Sequence, residues 1–241
     1  LNTEMESHRP AKPRVRSPAP LRKRAPGRPT RKAAPPAEQR ELLLDAAIAC
    51  FVRKGIAAAS LREIAREAHV TPALLHYYFG DKAQLQEALV ADRLLPALAD
   101  MREAVASAGA DVPALIAAFV TGIGRVATRH PWLPPLWVRE VLCEGGALRD
   151  VLFERVGPQV PQVMAKRFAE AQARGEINED LDPRLLIVSL VGLTLFPIAG
   201  APIWRRLFAG DPGTAALDME TFRRHTLALL DRGIDLREPP P

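Results

Sequence analysis

Three helix starts crowd into the stretch from Ser60 to Lys82, and this crowding constrains the fold more than any other feature of the chain. Ser60 stands three residues before Glu63, the capping-box spacing at which hydroxyl and carboxylate each satisfy a backbone donor of the other residue. Leu61, Ile64, Ala65 and Ala68 then recur at helical spacing. After His69 and Val70, Thr71 is placed to cap a further helix, whose first residue, Pro72, has no N–H to leave unsatisfied. Gly80 stops that helix, and Asp81 with Gln84 opens the next. Ahead of them Leu44, Ala47, Ile48 and Phe51 share one face of a helix that begins near Glu38 and ends at Gly55. Two short helices joined by a tight turn and backed by a third have the dimensions of a helix-turn-helix, which lays its second helix in the DNA major groove.

With Ile64, Ala65, Ala68, Val70, Leu74 and Leu75 spent on packing, the second short helix turns Thr71, Pro72, Ala73, His76 and Tyr77 outward. Short side chains at a helix N-terminus let the backbone approach the bases, Ala and Pro can touch a thymine methyl, and hydroxyl or imidazole groups reach phosphates or base edges. Phe79 is expected in the core. The adjacent Tyr77 and Tyr78 cannot both point inward, so at least one hydroxyl is expected in water. His69 stands in the turn itself; His is among the residues that visit the left-handed backbone region, so backbone accommodation is its expected role.

The run SLREIAREAHVTPALLHYYFGDK at residues 60–82 closely resembles the helix-turn-helix signature of the TetR family, and the likeness extends over about residues 38–90. The turn residue before Val70 departs from it, being His69 where the family usually has Gly. The resemblance implies a dimeric DNA-binding repressor with a ligand pocket in its C-terminal domain. Carried over by position, it implies phosphate contacts for Ser60 and Arg62, a groove-facing set of Thr71, Pro72, Ala73, His76 and Tyr77, and phosphate-holding roles for Tyr78 and Lys82.

The rest of the chain continues the same helical punctuation, with Asp111 and Val112 before Pro113, His130 before Pro131, a Gly145–Gly146 pair, and Asp182 before Pro183. A fourth helix is expected from Lys82 to about Ala108, bent near Pro96, followed by helices over 113–129, 132–144, 147–156, 158–175, 183–197 and 215–232. No alternating strand pattern appears, and the low aromatic content of 5% accompanies abundant Ala and Leu. The expected fold is all-α: a three-helix DNA-binding domain at 38–82 and a larger helical effector-binding and dimerisation domain at 83–241, preceded by a disordered basic arm at 1–37. Residues 185–204 carry no charge, a length that spans a bilayer. Pro197, Gly200 and Pro202 should break the helix first, so a core or subunit-interface helix is expected and no membrane partner.

The net charge of +5 is uneven. Residues 1–37 hold ten Lys or Arg against two Glu, about +8, which leaves about −3 for the remainder. Within the arm, a Gly-Arg-Pro element places Arg28 as a candidate minor-groove contact of the kind AT-hook arms make; the alternative is a solvated tail that attracts DNA without sequence preference. Cys50 and Cys143 lie far apart, indicate no disulfide framework, and fit a reducing cytoplasm. No nucleophile elbow, phosphate loop or metal-ligand spacing occurs, so neither enzyme activity nor a metal or cofactor is expected.

Phe119, Ile123, Trp137, Glu140, Cys143, Phe168 and Phe196 are the candidate lining of a pocket for a small hydrophobic or aromatic effector. Glu140 shares a helical face with Leu133, Leu136 and Trp137 and would need Arg139 or another partner if it projected inward; the preferred reading keeps Trp132 and Trp137 in the core and places Arg139 and Glu140 on the surface. Helices 158–175 and 183–197 are apolar enough to pair two copies, as a palindromic operator in double-stranded DNA requires. The expected function is a ligand-responsive transcriptional regulator, a repressor released from its operator by the effector. A constitutive DNA-binding or architectural protein without an effector is the alternative.

Overall fold

Helix caps written in the sequence become helix starts in the structure, a computed structural model that describes residues 35–109, 111–156 and 159–234. Among these residues every regular element is helical. The basic arm and Arg28 lie outside them. Helix α1 spans Pro36–Lys54 and buries Leu43, Leu44, Ala47, Ile48 and Phe51. α2, Leu61–Glu67, starts on Ser60 with both halves of the capping box in place. α3, Pro72–Phe79, starts on Thr71, whose hydroxyl accepts from Leu74 N–H. α4, Lys82–Leu89, starts on Asp81, whose carboxylate accepts from Gln84 N–H at 2.8 Å.

The fourth helix continues as expected, but its adjustment to Pro96 begins earlier than the proline itself. α4 passes into a wide turn over Val90–Leu94, where Leu95 N–H bonds Val90 C=O five residues back, and regains α geometry as α5, Leu95–Ala106. Pro96 cannot donate to the residue four back, and a widened turn just ahead of it is one way a helix carries a proline without breaking. The same widening follows α7, Leu133–Trp137, over Val138–Leu142, and follows the short α8, Arg149–Val151, over Leu152–Val156.

α6, Val112–Arg129, is the central helix of the C-terminal half, and α5, α9 (Gln159–Ala173), α10 (Pro183–Ala199) and α12 (Met219–Ile234) pack on it. It is long and apolar enough to cross a membrane by length and composition, yet half of it is buried within the fold. The uncharged stretch at 185–204 does not form one span. α10 ends at Ala199, and α11, Ala201–Leu207, leaves it at 68°. Pro197 sits inside the last turn of α10, where it cannot donate to the residue four back, and Pro202 lies in the first turn of α11, where a missing N–H costs least. A short 3₁₀ turn at Pro212–Ala216 precedes α12.

Two apolar cores result. The first gathers α1 to α4 and reaches on to Leu98, Val126, Leu133, Leu136, Val141 and Leu148. The second is formed by α6, α9, α10 and α12 around Leu115, Phe119, Met164, Phe168 and Leu190, and Met101 packs against both. The helix-turn-helix is therefore seated on α7 and its wide turn, and the apolar packing does not stop at Lys82. Both cysteines are free, Cys50 buried and Cys143 exposed. Burial pushes the Cys50 thiol above its ordinary value, against the opposing charge of Arg53.

Candidate nucleic-acid interface and apolar cavity

α3 is held by Leu75 and Phe79, both buried, which leaves the opposite face in water. Thr71, Pro72, Ala73, His76 and Tyr77 are all exposed there, Tyr77 at 81%. Tyr78 is half-buried against the first core and meets the Tyr77 ring edge-on at 5.4 Å. One hydroxyl of the pair is thus free in water, as their adjacency requires. His76 contacts Gly80 C=O through Nδ1, which turns its ring along the helix toward the C-terminus. His69 has φ of +56°, the left-handed geometry its place in the turn demands, and is the one non-glycine residue with positive φ among those described.

Around α3, the basic residues divide into paired and free. Arg53 pairs with Glu67 at 2.9 Å and Lys54 pairs with Glu63. Arg62 and Arg66 are exposed and form no ion pair among the described residues. Arg66 is an exposed cation of α2 that sequence reasoning did not single out; its place one turn after Arg62 was the available signal. Lys82 donates to Ala57 C=O at 2.7 Å, so its ammonium ties the start of α4 to the loop between α1 and α2. Ser60 is occupied within the capping box: its hydroxyl donates to Glu63 Oε2 at 3.0 Å, and its N–H donates to the same oxygen at 3.1 Å.

These donors hold the Glu63 carboxyl down at about 2, the Lys54 ammonium contributing most and the Ser60 N–H and hydroxyl next. A carboxyl lowered in the folded state contributes stability that is fully present above its unfolded value, about 4.3, and is lost as pH falls through its folded value. Acid unfolding between about pH 4.5 and 2 should therefore be shallower for Glu63→Gln than for the wild type. Circular dichroism at a series of pH values measures it, and identical slopes would mean that this carboxylate is not coupled to folding.

In the C-terminal half a cavity of about 270 Å³ opens between α5, α6, α7 and α10. Leu98, Phe119, Ile123, Trp137, Ile187 and Val191 are among the side chains that wall it, and Arg102 is the one charged residue at its edge. Two larger hollows lie elsewhere. One, of about 850 Å³, is edged by Asp111, Glu176 and Asp231, and one of about 520 Å³ lies between α10, α11 and α12. Of these three, the apolar cavity is the one that shares a wall, α7, with the core that carries the helix-turn-helix.

The structure brings Phe119, Ile123 and Trp137 together at this cavity and places the other four pocket candidates elsewhere. Phe168 faces α6 and α10 in the second core and is fully buried. Phe196 lies on the outer face of α10, 75% exposed. Cys143 is exposed beyond the wide turn. Glu140 is buried at 4% exposure, but its carboxylate turns toward the N-terminal half and accepts from Ile56 N–H and Ala147 N–H, while Arg139 stays exposed. Leu133 and Leu142 join the cavity wall from the same segment without having been singled out. Among the described residues no cluster of His, Cys, Asp or Glu could hold a metal ion.

Comparison with known proteins agrees with this geometry. Residues 43–89 match the family model described as "Bacterial regulatory proteins, tetR family". The HTH-type transcriptional regulator BetI of Rhizobium meliloti is 49% identical over 47 residues, which is 20% of this chain and 23% of that protein. The chain matches less than half the length of each of its curated relatives, 23%, 32% and 44%. Solved structures extend the likeness of fold: the ketosteroid transcriptional regulator KstR2 of Mycobacterium tuberculosis superimposes with a TM-score of 0.62 at 18% identity, over 83% of this chain and 96% of that one. A TetR-family transcriptional regulator from a Rhodococcus species does so at 0.56 and 25% identity, over 81% and 98%. The sequence likeness to the tetR family of bacterial regulatory proteins thus lies in the helix-turn-helix domain, and over the rest of the described residues the likeness is one of fold.

Proposed function

We propose that this chain is a sequence-specific transcriptional regulator that binds a palindromic operator as a homodimer and is released from it by a small hydrophobic or aromatic effector. The observation that carries the reading is the outer face of α3, where Thr71, Pro72, Ala73, His76 and Tyr77 stand exposed on a capped helix beside the free Arg62 and Arg66. Helix and neighbouring cations together supply base readout and phosphate attraction. The effector site is the apolar cavity between α5, α6, α7 and α10, whose lining selects an apolar ligand. In this reading α1 to α3 bind DNA, the elements from α5 onward serve the effector and the dimer, and the site of action is the cytoplasm.

Sequencing of genomic fragments retained by the purified protein at near-physiological salt tests this directly. Recovery of one or a few palindromic sites is expected, because a regulator prefers its operator over other DNA by about three orders of magnitude or more. Indiscriminate recovery would instead indicate constitutive, non-specific binding and end the regulator reading.

The dimer has its own observable. α10 exposes Leu185 at 62%, Val188 at 65% and Phe196 at 75%, with Gly192 open between them, and Val163 of α9 adds 44%. An apolar face of this kind on a helix whose other side is already buried is the mark of a partner surface. Val188→Glu should leave the protomer folded, because the side chain touches water, yet shift the protein to monomer in sedimentation equilibrium. A dimer that persists in this variant would move the interface elsewhere.

A further inference from the structure

Glu140 is the one buried carboxylate among the described residues, and neither the α3 face nor the cavity lining uses it. Its Oε1 accepts from Ile56 N–H at 2.9 Å and its Oε2 from Ala147 N–H at 3.0 Å. Its backbone C=O accepts from Leu148 N–H at 3.0 Å, so the loop after the wide turn folds back under it. No Lys, Arg or His lies within ion-pair distance of it among the described residues. A buried carboxylate unbalanced by a cation is costly unless hydrogen-bond donors hold it, so these two N–H groups are what keep it inside.

Two glycines admit this arrangement. Gly55, with φ of +89° and ψ of 156°, would place a Cβ 3.0 Å from Glu140 Oε1. Gly146 would place one 2.2 Å from Glu140 C=O. The segment reached by Oε1 is the loop that ends on Ser60 and its capping box, and Lys82 holds the same loop at Ala57. Trp137, three residues before Glu140, walls the cavity together with Leu133, Pro134 and Leu142 of the same segment. One face of this segment therefore lines the cavity and another holds the loop in front of α2.

We infer that Glu140 is a positioning residue that fastens the cavity wall to the helix-turn-helix, so that filling the cavity releases the loop ahead of α2. The inference rests on the reading of the cavity as an effector site. At about 270 Å³ the cavity is small beside the ~300–1,000 Å³ of ordinary ligand sites, so an occupant pushes its walls outward. α7 is five residues long and passes into its wide turn, whereas α6 is an eighteen-residue helix packed on four others, so the α7 wall is the one that yields. A shift of about 1 Å takes the carboxylate out of hydrogen-bond reach of Ile56 N–H. The loop then follows the carboxylate or opens, and either result changes where α2 and α3 sit.

Hydrogen exchange of the full-length protein, followed by NMR at the Ile56 amide with naphthalene as an apolar probe, tests this, while equilibrium dialysis reports naphthalene binding separately. In the wild type, saturating naphthalene should accelerate exchange at Ile56 at least tenfold and leave the Phe51 and Leu85 amides unchanged. In Glu140→Gln, which keeps the volume but turns an NH2 group toward one backbone donor, Ile56 should exchange fast already. Naphthalene should bind that variant within threefold of the wild-type affinity and change its Ile56 exchange less than twofold. Naphthalene bound to the wild type with Ile56 unchanged would overturn the coupling and leave the effector reading standing. A wild-type response in Glu140→Gln would overturn the role of Glu140. Failure of naphthalene to bind at all would remove the cavity reading, and this inference with it. Should the variant not fold, the wild-type measurement decides the coupling alone.

Discussion

Thr71→Asp should lower affinity for the selected operator at least a hundredfold while leaving thermal stability nearly unchanged. Thr71 caps α3, its hydroxyl accepting from Leu74 N–H, and Asp is as good an N-cap as Thr, with a charge that suits the positive end of the helix dipole. The fold therefore loses nothing. What changes is the exposed first residue of the proposed groove-facing set, which would carry a negative charge toward phosphates. At ~5–6 Å and an effective dielectric of about 20 that repulsion is about 3 kcal/mol, before screening by salt. A two-fold complex meets it in both half-sites, and each 1.4 kcal/mol is about tenfold in affinity. Thr71→Asn is the control, an equally good cap of the same shape without the charge, and should weaken binding less than tenfold. Competition binding at two salt concentrations separates the two variants. Wild-type affinity in Thr71→Asp would mean that α3 does not face DNA.

The features that sequence reading recovers are those whose physics is local. Ser60, Thr71, Asp81, Asp111 and Asp182 each announce a helix because a cap needs only its own side chain and the next few N–H groups, and the structure starts a helix at each. The turn at His69 was legible for the same reason. α11 was missed because Gly200 and Pro202 read as breakers, although a proline serves equally well as the opening residue of a new helix, and Arg205 and Arg206 in its last turn were a signal for its end. The three wide turns leave no trace in the apolar pattern, since one extra residue per turn falls within its tolerance.

Tertiary questions fared differently. An apolar residue on a helix can face a cavity, a close-packed core or a second subunit, and periodicity does not choose between them. Phe119 and Ile123 line the cavity, Phe168 is packed solid, and Phe196 faces out. The sequence reading prefers Glu140 on the surface, although its apolar helical face hints at a buried carboxylate in need of a partner, and the structure buries it. Its first partner is a backbone N–H, 84 residues distant, and a backbone donor has no sequence signature. The consequence is functional as well as structural. Part of the connection between the two halves of the molecule runs through main-chain donors, so a substitution that disturbs it need not alter a side chain of the α3 face or of the cavity wall.

Gly146→Ala should show this most plainly. Gly145 and Gly146 are neighbours in one loop, yet they are required for different reasons. Gly145 has φ of +74° and open space around its missing Cβ, so Gly145→Ala meets only the left-handed backbone penalty, about 1 kcal/mol. At Gly146 the added Cβ falls 2.2 Å from the Glu140 carbonyl oxygen and 2.4 Å from its carbonyl carbon, and backbone cannot step aside as a flexible side chain would. Relief requires separating the loop from Glu140, which breaks the Leu148-to-Glu140 bond and draws Ala147 N–H away from the carboxylate. Overpacking against an immovable neighbour costs about 3 kcal/mol or more. In a protein of this size that corresponds to a fall in Tm of about 6–12 °C for Gly146→Ala, against about 2–4 °C for Gly145→Ala. Scanning calorimetry of the two single variants decides it. Equal shifts would mean that the loop yields freely around Glu140, and a loop that yields freely could not keep a buried carboxylate aimed at Ile56.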